Sequence, residues 1–145
     1  QRYHHGWRGT GKRRCLGGKV MGDRANFGFR QSNGDVIFLY GHWAGFEMMG
    51  RLADAIIAAN PRWFDESYAT RIAISNLIGE EWNQEYGWGI STYVGDNEHS
   101  IPVVDWDSQT VSLYPHSIYT GMDWDSPKFT MSFQQFLDKF AKVLV

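Results

Sequence analysis

The sequence predicts an α+β fold with a mixed, mainly antiparallel sheet of about five strands and with helices packed on one face. Three observations predict it. An Asn-Gly turn at Asn33 joins two strand-like segments, apolar residues recur at helical spacing in three later stretches, and short strand-like segments lie between the second and third of these. The expected order of elements is therefore β-β-α-α-β-β-β-α.

The first predicted element is a hairpin. Residues 25–31 alternate polar and apolar side chains, and residues 36–40 are continuously apolar. Asn33 and Gly34 between them predict a type I′ turn, which needs positive φ at both central positions. A continuously apolar strand is typical of a sheet interior, so we expect the second strand to be central and covered on both faces.

Two helices are predicted next. Apolar residues at helical spacing place the first over residues 46–59, and Pro61 ends it because the residue before a proline avoids the helical region. The second is predicted over residues 66–78. Asp65 would cap it by accepting a hydrogen bond from a free amide, and Gly79 follows its last turn.

Strands return in the second half of the chain. They are predicted at residues 88–94, 101–106 and 110–114, with polar turn residues between them. Residues 115–131 contain two prolines and a glycine, and they are predicted to be irregular.

The last helix begins at a capping box formed by Ser132 and Gln135. Its apolar residues follow the helical spacing and predict one buried stripe. The stripe consists of Phe133, Phe136, Leu137, Phe140, Val143 and Leu144.

The length of 145 residues predicts one domain, which we place at residues 21–145. Residues 1–20 carry six basic side chains and no acidic one, and a strand pattern begins directly after Met21. The two glycine codons at 17 and 18 can also form a bacterial ribosome-binding sequence. We therefore expect residues 1–20 to be a non-native or disordered basic extension, the alternative being a genuine arm that binds nucleic acid or acidic surfaces.

Charge and composition narrow the classes of function. Residues 21–145 hold eight basic and sixteen acidic side chains, so nucleic-acid binding is not expected unless residues 1–20 are native. The sequence has no apolar run long enough to span a membrane. Its single cysteine, Cys15, fits a reducing compartment, and we expect the bacterial cytoplasm.

Motifs for cofactors and metals are missing from the sequence. It contains no Walker loop, no G-x-G-x-x-G and no G-x-S-x-G. Glu98-His99 and Asp105-x-Asp107 are too sparse for a hard cation, and residues 21–145 offer three histidines and no cysteine for zinc. We predict no cofactor and no metal.

Two polar pairs are candidates for a ligand site. Asp23-Arg24 precedes the first strand, where the arginine can clamp a carboxylate or phosphate, or can form a structural ion pair. His42-Trp43 follows the second strand. His42 is a candidate general base or ligand, or a packed histidine bonded to backbone, and Trp43 is expected to anchor the core.

A third candidate is the acidic run from Glu80 to Tyr86, which includes Glu85 and precedes Gly87 and Gly89. Its carboxylates are suited to acid–base chemistry, and the glycines would allow a ligand to approach the backbone. The alternative, which we favour, is a solvated loop that leads into a strand.

Five segments that cover residues 21–113 form a recognisable set: MGDRANFGF, FLYGHWAG, RWFDESYATRI, EYGWGIST and IPVVDWDSQTVSL. Taken in order, they resemble a family of small uncharacterised proteins of actinobacteria and their phages. The polar positions that match the family are Asp23, Arg24, His42, Arg71, Glu85 and Asp105. Ala44 and Phe64 depart from it, and the resemblance implies no particular activity.

The sequence favours a phage or bacterial accessory protein that binds a protein of the host rather than an enzyme. Small size, acidic charge and abundant aromatic residues support this interpretation. The alternative is a small enzyme or ligand binder, and it requires Arg24, His42, Arg71 and Glu85 to meet in one pocket.

Overall fold

The computed structural model describes residues 22–143, and the predicted extension at residues 1–20 lies outside them. The strands are β1 (Ala25–Arg30), β2 (Val36–Gly41), β3 (Trp88–Ser91), β4 (Ile101–Asp105), β5 (Thr110–Tyr114), β6 (His116–Ser117), β7 (Gly121–Met122) and β8 (Phe129–Ser132). The helices are α1 (Met48–Ala58), α2 (Glu66–Ile78) and α3 (Phe133–Phe140), with 3₁₀ turns at Asn60–Arg62 and Gly79–Asn83.

Six strands form the main sheet, in the order β3-β2-β1-β4-β5-β8. Neighbouring strands are antiparallel except β1 and β4, which are parallel. This arrangement confirms the predicted α+β class and the mainly antiparallel sheet. The expected interior position of β2 is also confirmed, because β1 and β3 flank it.

The helices cover one face of the sheet, as predicted. Alternate strand residues such as Phe27, Leu39 and Val104 are fully buried against apolar side chains of the three helices, among them Leu52 of α1 and Phe136 of α3. Trp106, which follows β4, joins the two layers: its indole N–H donates to Thr70 Oγ1 of α2 at 2.9 Å.

The opposite face of the sheet has a smaller apolar cluster of its own. Phe38, Ile101 and Val103 are buried there, and Tyr114 and Met122 pack against them. Met122 belongs to the β6–β7 hairpin, so that hairpin covers part of this face.

The turn between β1 and β2 differs from the predicted type I′ turn. Gly34 has φ +96°, but Asn33 is not among the non-glycine residues with positive φ in residues 22–143. The Gly34 amide donates to the Gln31 carbonyl at 2.9 Å, and Gln31 N donates to Asp35 O at 2.8 Å. This is the pattern of a three-residue loop in which only the last residue needs left-handed backbone, so positive φ is required of Gly34 and not of Asn33.

The region predicted to be irregular contains three strands. β6 and β7 form a small hairpin, and β8 adds the sixth strand of the main sheet by pairing with β5. The expectation for residues 115–131 was therefore wrong. The other predicted strands and the first two helices are close to their predicted bounds. The largest difference is in β3, which ends at Ser91 rather than at residue 94.

The caps of the helices follow the predictions in part. α3 has both bonds of the capping box, between Ser132 and Gln135. Asp65 occupies the N-cap position of α2, but among the described residues its carboxylate forms no capping bond and contacts Ser67 Oγ and Arg62 instead. α3 ends at Phe140, and Val143 is exposed rather than part of the buried stripe.

Within residues 22–143, each helix is too short or too polar to cross a membrane.

Candidate functional site

One end of the main sheet brings together residues that are distant in the sequence. β1 begins there, β2 ends there, and β4 begins there because it runs parallel to β1. Backbone hydrogen bonds continue the pairing past the strand ends, from Asp23 N to His42 O and from His42 N to Gly87 O, both at 2.8 Å. The sheet-end cluster consists of Asp23, Arg24, Tyr40, His42, Glu98 and His99.

An ion pair between Arg24 and Glu98 forms the first half of this cluster. Glu98 Oε2 accepts from Arg24 Nη2 at 2.9 Å, and Glu98 Oε1 accepts from the Arg24 backbone amide at 2.9 Å. The Glu98 amide in turn donates to the Arg24 carbonyl. The hydrogen bonds from Arg24 lower the pKa of Glu98, and the carboxylate raises the pKa of Arg24.

A second contact, between an aspartate and a histidine, lies beside the ion pair. His99 Nε2 is 2.6 Å from Asp23 Oδ1. Gly45 lies against both groups, and a Cβ on this residue would occupy the space that their side chains fill. The Gly45 amide also donates to the Asp23 carbonyl at 2.9 Å, so the loop after β2 is held close to the start of β1.

Tyr40 and His42 form the remaining part of the cluster. The Tyr40 hydroxyl is 2.8 Å from His42 Nδ1. Burial and the positive charge of Arg24 lower the pKa of His42, which favours a neutral imidazole that accepts this hydrogen bond. Burial and the nearby Asp96 carboxylate raise the pKa of Tyr40.

Asn26 positions the loop that carries Glu98 and His99. It is completely buried, and its amide group donates to Asp96 O at 3.0 Å and to Asn97 Oδ1 at 3.1 Å. Its oxygen accepts from Gly95 N at 3.1 Å. Because all three bonds go to consecutive loop residues, Asn26 fixes the backbone just before Glu98.

The cluster contains one set of potential metal ligands, Asp23, Glu98 and His99, whose ligand atoms lie within 4.8 Å of one another. Both oxygens of Glu98 already accept hydrogen bonds from Arg24. A cation at this position would have to displace a guanidinium group. The donor set therefore fits an ion-pair network better than a metal centre.

Among the sequence-predicted residues, the structure brings together Asp23, Arg24 and His42. Arg24 forms the structural ion pair that was one of its two predicted roles. Trp43 is 39% exposed and stacks edge-on against His42 with ring centroids 4.5 Å apart, so its expected role as a core anchor was wrong.

Arg71 and Glu85 lie apart from this group. Arg71 is on the exposed side of α2, and Glu85 is in the exposed segment before β3. None of the contacts between described residues joins either of them to Arg24 or His42.

Sequence reasoning did not assign Tyr40, Glu98 and His99 to the site. Glu98 is 74 residues from Arg24, and only the parallel pairing of β1 with β4 brings them together. For Tyr40 the sequence did hold an indication: it lies two residues before His42, and residues at this spacing in a strand lie on the same face, so its hydroxyl could reach the histidine.

An open groove lies next to the cluster and shares Glu98 and His99 with it. Its lining residues are Asn97, Glu98, His99, Ser100, Pro115, His116, Ile118 and Lys128. Burial lowers the pKa of His116 in this groove.

A second candidate surface follows β3. Four large side chains in and around this strand are exposed, and we call them the β3 surface. They are Trp82 (51% exposed), Tyr86 (37%), Ile90 (52%) and Tyr93 (70%).

The segment around β3 carries an excess of negative charge, which two arginines from other elements offset in part: Arg51 lies 5.7 Å from the Trp88 ring centroid, and Arg24 pairs with Asp96 and Glu98. Residues 79–100 contain five acidic side chains and no lysine or arginine. The five are Glu80, Glu81, Glu85, Asp96 and Glu98. The surface therefore combines aromatic and apolar groups with negative charge.

Comparison of the chain with family models, with curated proteins and with solved structures finds no match.

Proposed function

We propose that this chain is a bacterial or phage accessory protein that binds a protein partner through the β3 surface. The observation that carries the proposal is the exposure of Trp82, Tyr86, Ile90 and Tyr93 along one segment. Exposed aromatic side chains are enriched at protein–protein interfaces, where they supply large contact areas at low entropic cost. The resemblance to actinobacterial and phage proteins favours a partner in the cytoplasm of an actinobacterial host.

The charge of the chain favours a protein over a nucleic acid as the partner. The acidic segment at residues 79–100 would repel phosphates, since nucleic-acid binding depends on lysine and arginine. The basic residues 1–20 are the exception within the sequence, and a nucleic-acid partner would depend on them.

The proposal is tested by site-specific photo-crosslinking in an actinobacterial lysate. A photoreactive phenylalanine derivative replaces Tyr93 in one variant and Tyr119 in the other. Tyr119 is the matched control because it is 89% exposed but lies on the turn between β6 and β7, outside the β3 surface. We expect a discrete crosslinked protein from position 93 and not from position 119. Equal patterns from both positions, or no discrete product at 93, would contradict the proposal.

A second candidate function is the binding of a small ligand at the sheet-end cluster and its groove. The supporting observation is Arg24 Nε, which is the buried side-chain donor that lacks a partner among residues 22–143. A buried donor without an acceptor costs free energy, and an acceptor atom on a ligand would recover it.

The test of this second function is a metabolite library screened by thermal shift. A ligand that binds the folded state raises its melting temperature. We expect any stabilising compound to lose its effect in Arg24→Lys, which retains the charge but not the Nε donor, and to retain it in Arg71→Lys. A library without any stabilising compound, or equal loss in both variants, would exclude this function.

A further inference from the structure

β3 is an edge strand of the main sheet. In the described part of the chain it pairs with β2 and with no other strand. The hydrogen bond from His42 N to Gly87 O shows which residue pairs exchange hydrogen bonds between β2 and β3. Tyr40 and Gly89, the next such pair, therefore point their backbone groups toward each other. In an antiparallel pair, alternate residues direct their N–H and C=O groups to the same neighbour. Trp88 and Ile90 therefore direct their backbone N–H and C=O groups away from β2, toward the side of β3 that pairs with no other described strand.

This edge lacks two of the features that usually prevent strand addition, proline and lysine. Residues 79–100 contain no proline and no lysine, whereas natural edge strands are commonly protected by both. β8, at the other edge of the sheet, is preceded directly by Pro127 and Lys128. The contrast indicates that the β3 edge is less protected against strand addition than the β8 edge.

The negative charge around β3 defines what can be added. Glu80, Glu81 and Glu85 precede β3, and Arg51, which lies 5.7 Å from the Trp88 ring centroid, offsets their charge only in part. Asp96 and Glu98, which follow β3, are already paired with Arg24. The remaining negative charge of the glutamates favours an incoming strand that carries positive charge. The same charge disfavours a second copy of the chain, because antiparallel pairing of two β3 strands would bring both acidic segments together. The exposed side chains of Ile90 and Tyr93 offer contacts to apolar residues of the added strand.

We infer that β3 binds an extended segment of the partner that bears lysine or arginine, and that this segment adds to the sheet as a seventh strand. Its backbone pairs with Trp88 and Ile90, and its basic side chains face the glutamates that precede β3. Such addition of a strand is a recurrent mode of peptide recognition, in which main-chain bonds provide affinity and side chains provide specificity. The inference rests on the proposed function and names the chemistry of its partner.

The test uses the full chain and three short fluorescent peptides with blocked termini. One alternates valine and lysine, one alternates valine and glutamate, and one is the valine–lysine peptide N-methylated at alternate residues. We expect the first to bind at least about tenfold more tightly than the others, since a tenfold change corresponds to the loss of one or two net hydrogen bonds. Comparable affinity for the glutamate or the N-methylated peptide would overturn the inference.

Amide hydrogen exchange gives a direct measure of the pairing. We expect the amides of Trp88 and Ile90 to exchange rapidly in the free protein and to be protected by the valine–lysine peptide. The amides of Gly89 and Ser91, which face β2, should be slow in both states. Protection that is unchanged at Trp88 and Ile90 would contradict strand addition even if the peptide binds.

Two matched variants locate the binding edge. Ile90→Pro removes a backbone N–H that points away from β2. Thr130→Pro does the same on β8. The hydrogen bond from Phe133 N to Gln109 O indicates that the backbone N–H of Thr130 points away from β5. Proline is tolerated at edge positions whose N–H faces solvent. We expect the first variant to lose peptide binding and the second to retain it. If Ile90→Pro does not fold, the N-methylated peptide still decides the question.

Other occupants of the edge give distinct results. If the second copy is the occupant, sedimentation will show a dimer that Ile90→Pro dissociates. If residues 1–20 occupy the edge, the peptides will bind only after the six basic side chains of that segment have been replaced with glutamine. Either result overturns the inference. Crosslinking through position 93 that persists in Ile90→Pro would leave the proposed function intact and reject only strand addition.

Discussion

Single residues hold the sheet-end cluster together across long separations in the sequence. Asn26 orders the backbone at residues 95–97, and this places Glu98 against Arg24. Gly45 leaves the space in which Asp23 and His99 meet. The cluster thus depends on one buried amide and one missing side chain, although neither belongs to a recognisable motif.

Gly45→Ala tests this dependence. The added methyl group would overlap the Asp23 carboxylate and the His99 ring, and we expect it to lower the free energy of unfolding by about 1–3 kcal/mol. Gly89→Ala is the control, because a Cβ at that position meets nothing within 4 Å. Its effect should stay within about 0.5 kcal/mol. Urea unfolding of both variants makes the comparison, and equal stabilities would show that the contact is not required.

His42 should make stability depend on pH. Its pKa is lowered in the folded state, mainly by burial and then by the charge of Arg24. Below the ordinary histidine pKa of 6.5 the unfolded chain therefore binds more protons than the folded chain, and stability falls as the pH decreases through this value.

His42→Asn should flatten that decrease, because asparagine retains an acceptor for the Tyr40 hydroxyl but does not titrate. The pKa of His116 is also lowered in the folded state, so His116→Asn should remove a further part of the pH dependence of stability. Urea unfolding of the single and double variants at a series of pH values measures the effect. A double variant that retains the full pH dependence above the carboxylate range would refute this assignment.

Elements whose limits depend on local chemistry are predicted well from the sequence. The predicted bounds of α2 agree with the structure, and the capping box fixes the start of α3. The type I′ turn was wrong because Asn-Gly also suits a longer loop in which only Gly34 takes positive φ. β8 was missed because four residues with two apolar positions give too short an alternation, and its pairing with β5 decides its conformation.

Ser132→Ala measures the contribution of the α3 cap. The Ser132 hydroxyl accepts a hydrogen bond from the Gln135 amide at 3.1 Å, and we expect its loss to cost about 1 kcal/mol. Ser126→Ala, at an exposed position outside the helices and strands, is the matched control and should change stability by less than about 0.5 kcal/mol. Thermal unfolding followed by circular dichroism compares the two, and indistinguishable melting temperatures would count against the cap.

At the scale of the whole molecule, the sequence predicts the layers but not which residues the layers bring together. Periodicity indicates which side of each element is buried, so the helix layer and the interior position of β2 were predictable. The meeting of Arg24 with Glu98 was not, because it depends on the strand order. The open edge at β3 was likewise hidden until the position of each strand in the sheet was known.

The parallel pairing of β1 with β4 also constrains the order in which the molecule can be completed. Gly28 faces Val103, so the two central strands are 75 residues apart in the chain. During synthesis the β1–β2 hairpin leaves the ribosome well before its partner, and it must persist with one side open or remain unformed until β4 arrives. Closing so long a loop is slow compared with forming a hairpin or a helix. The middle of the sheet is thus joined late, and a chain that stops before residue 101 lacks the strand that completes it.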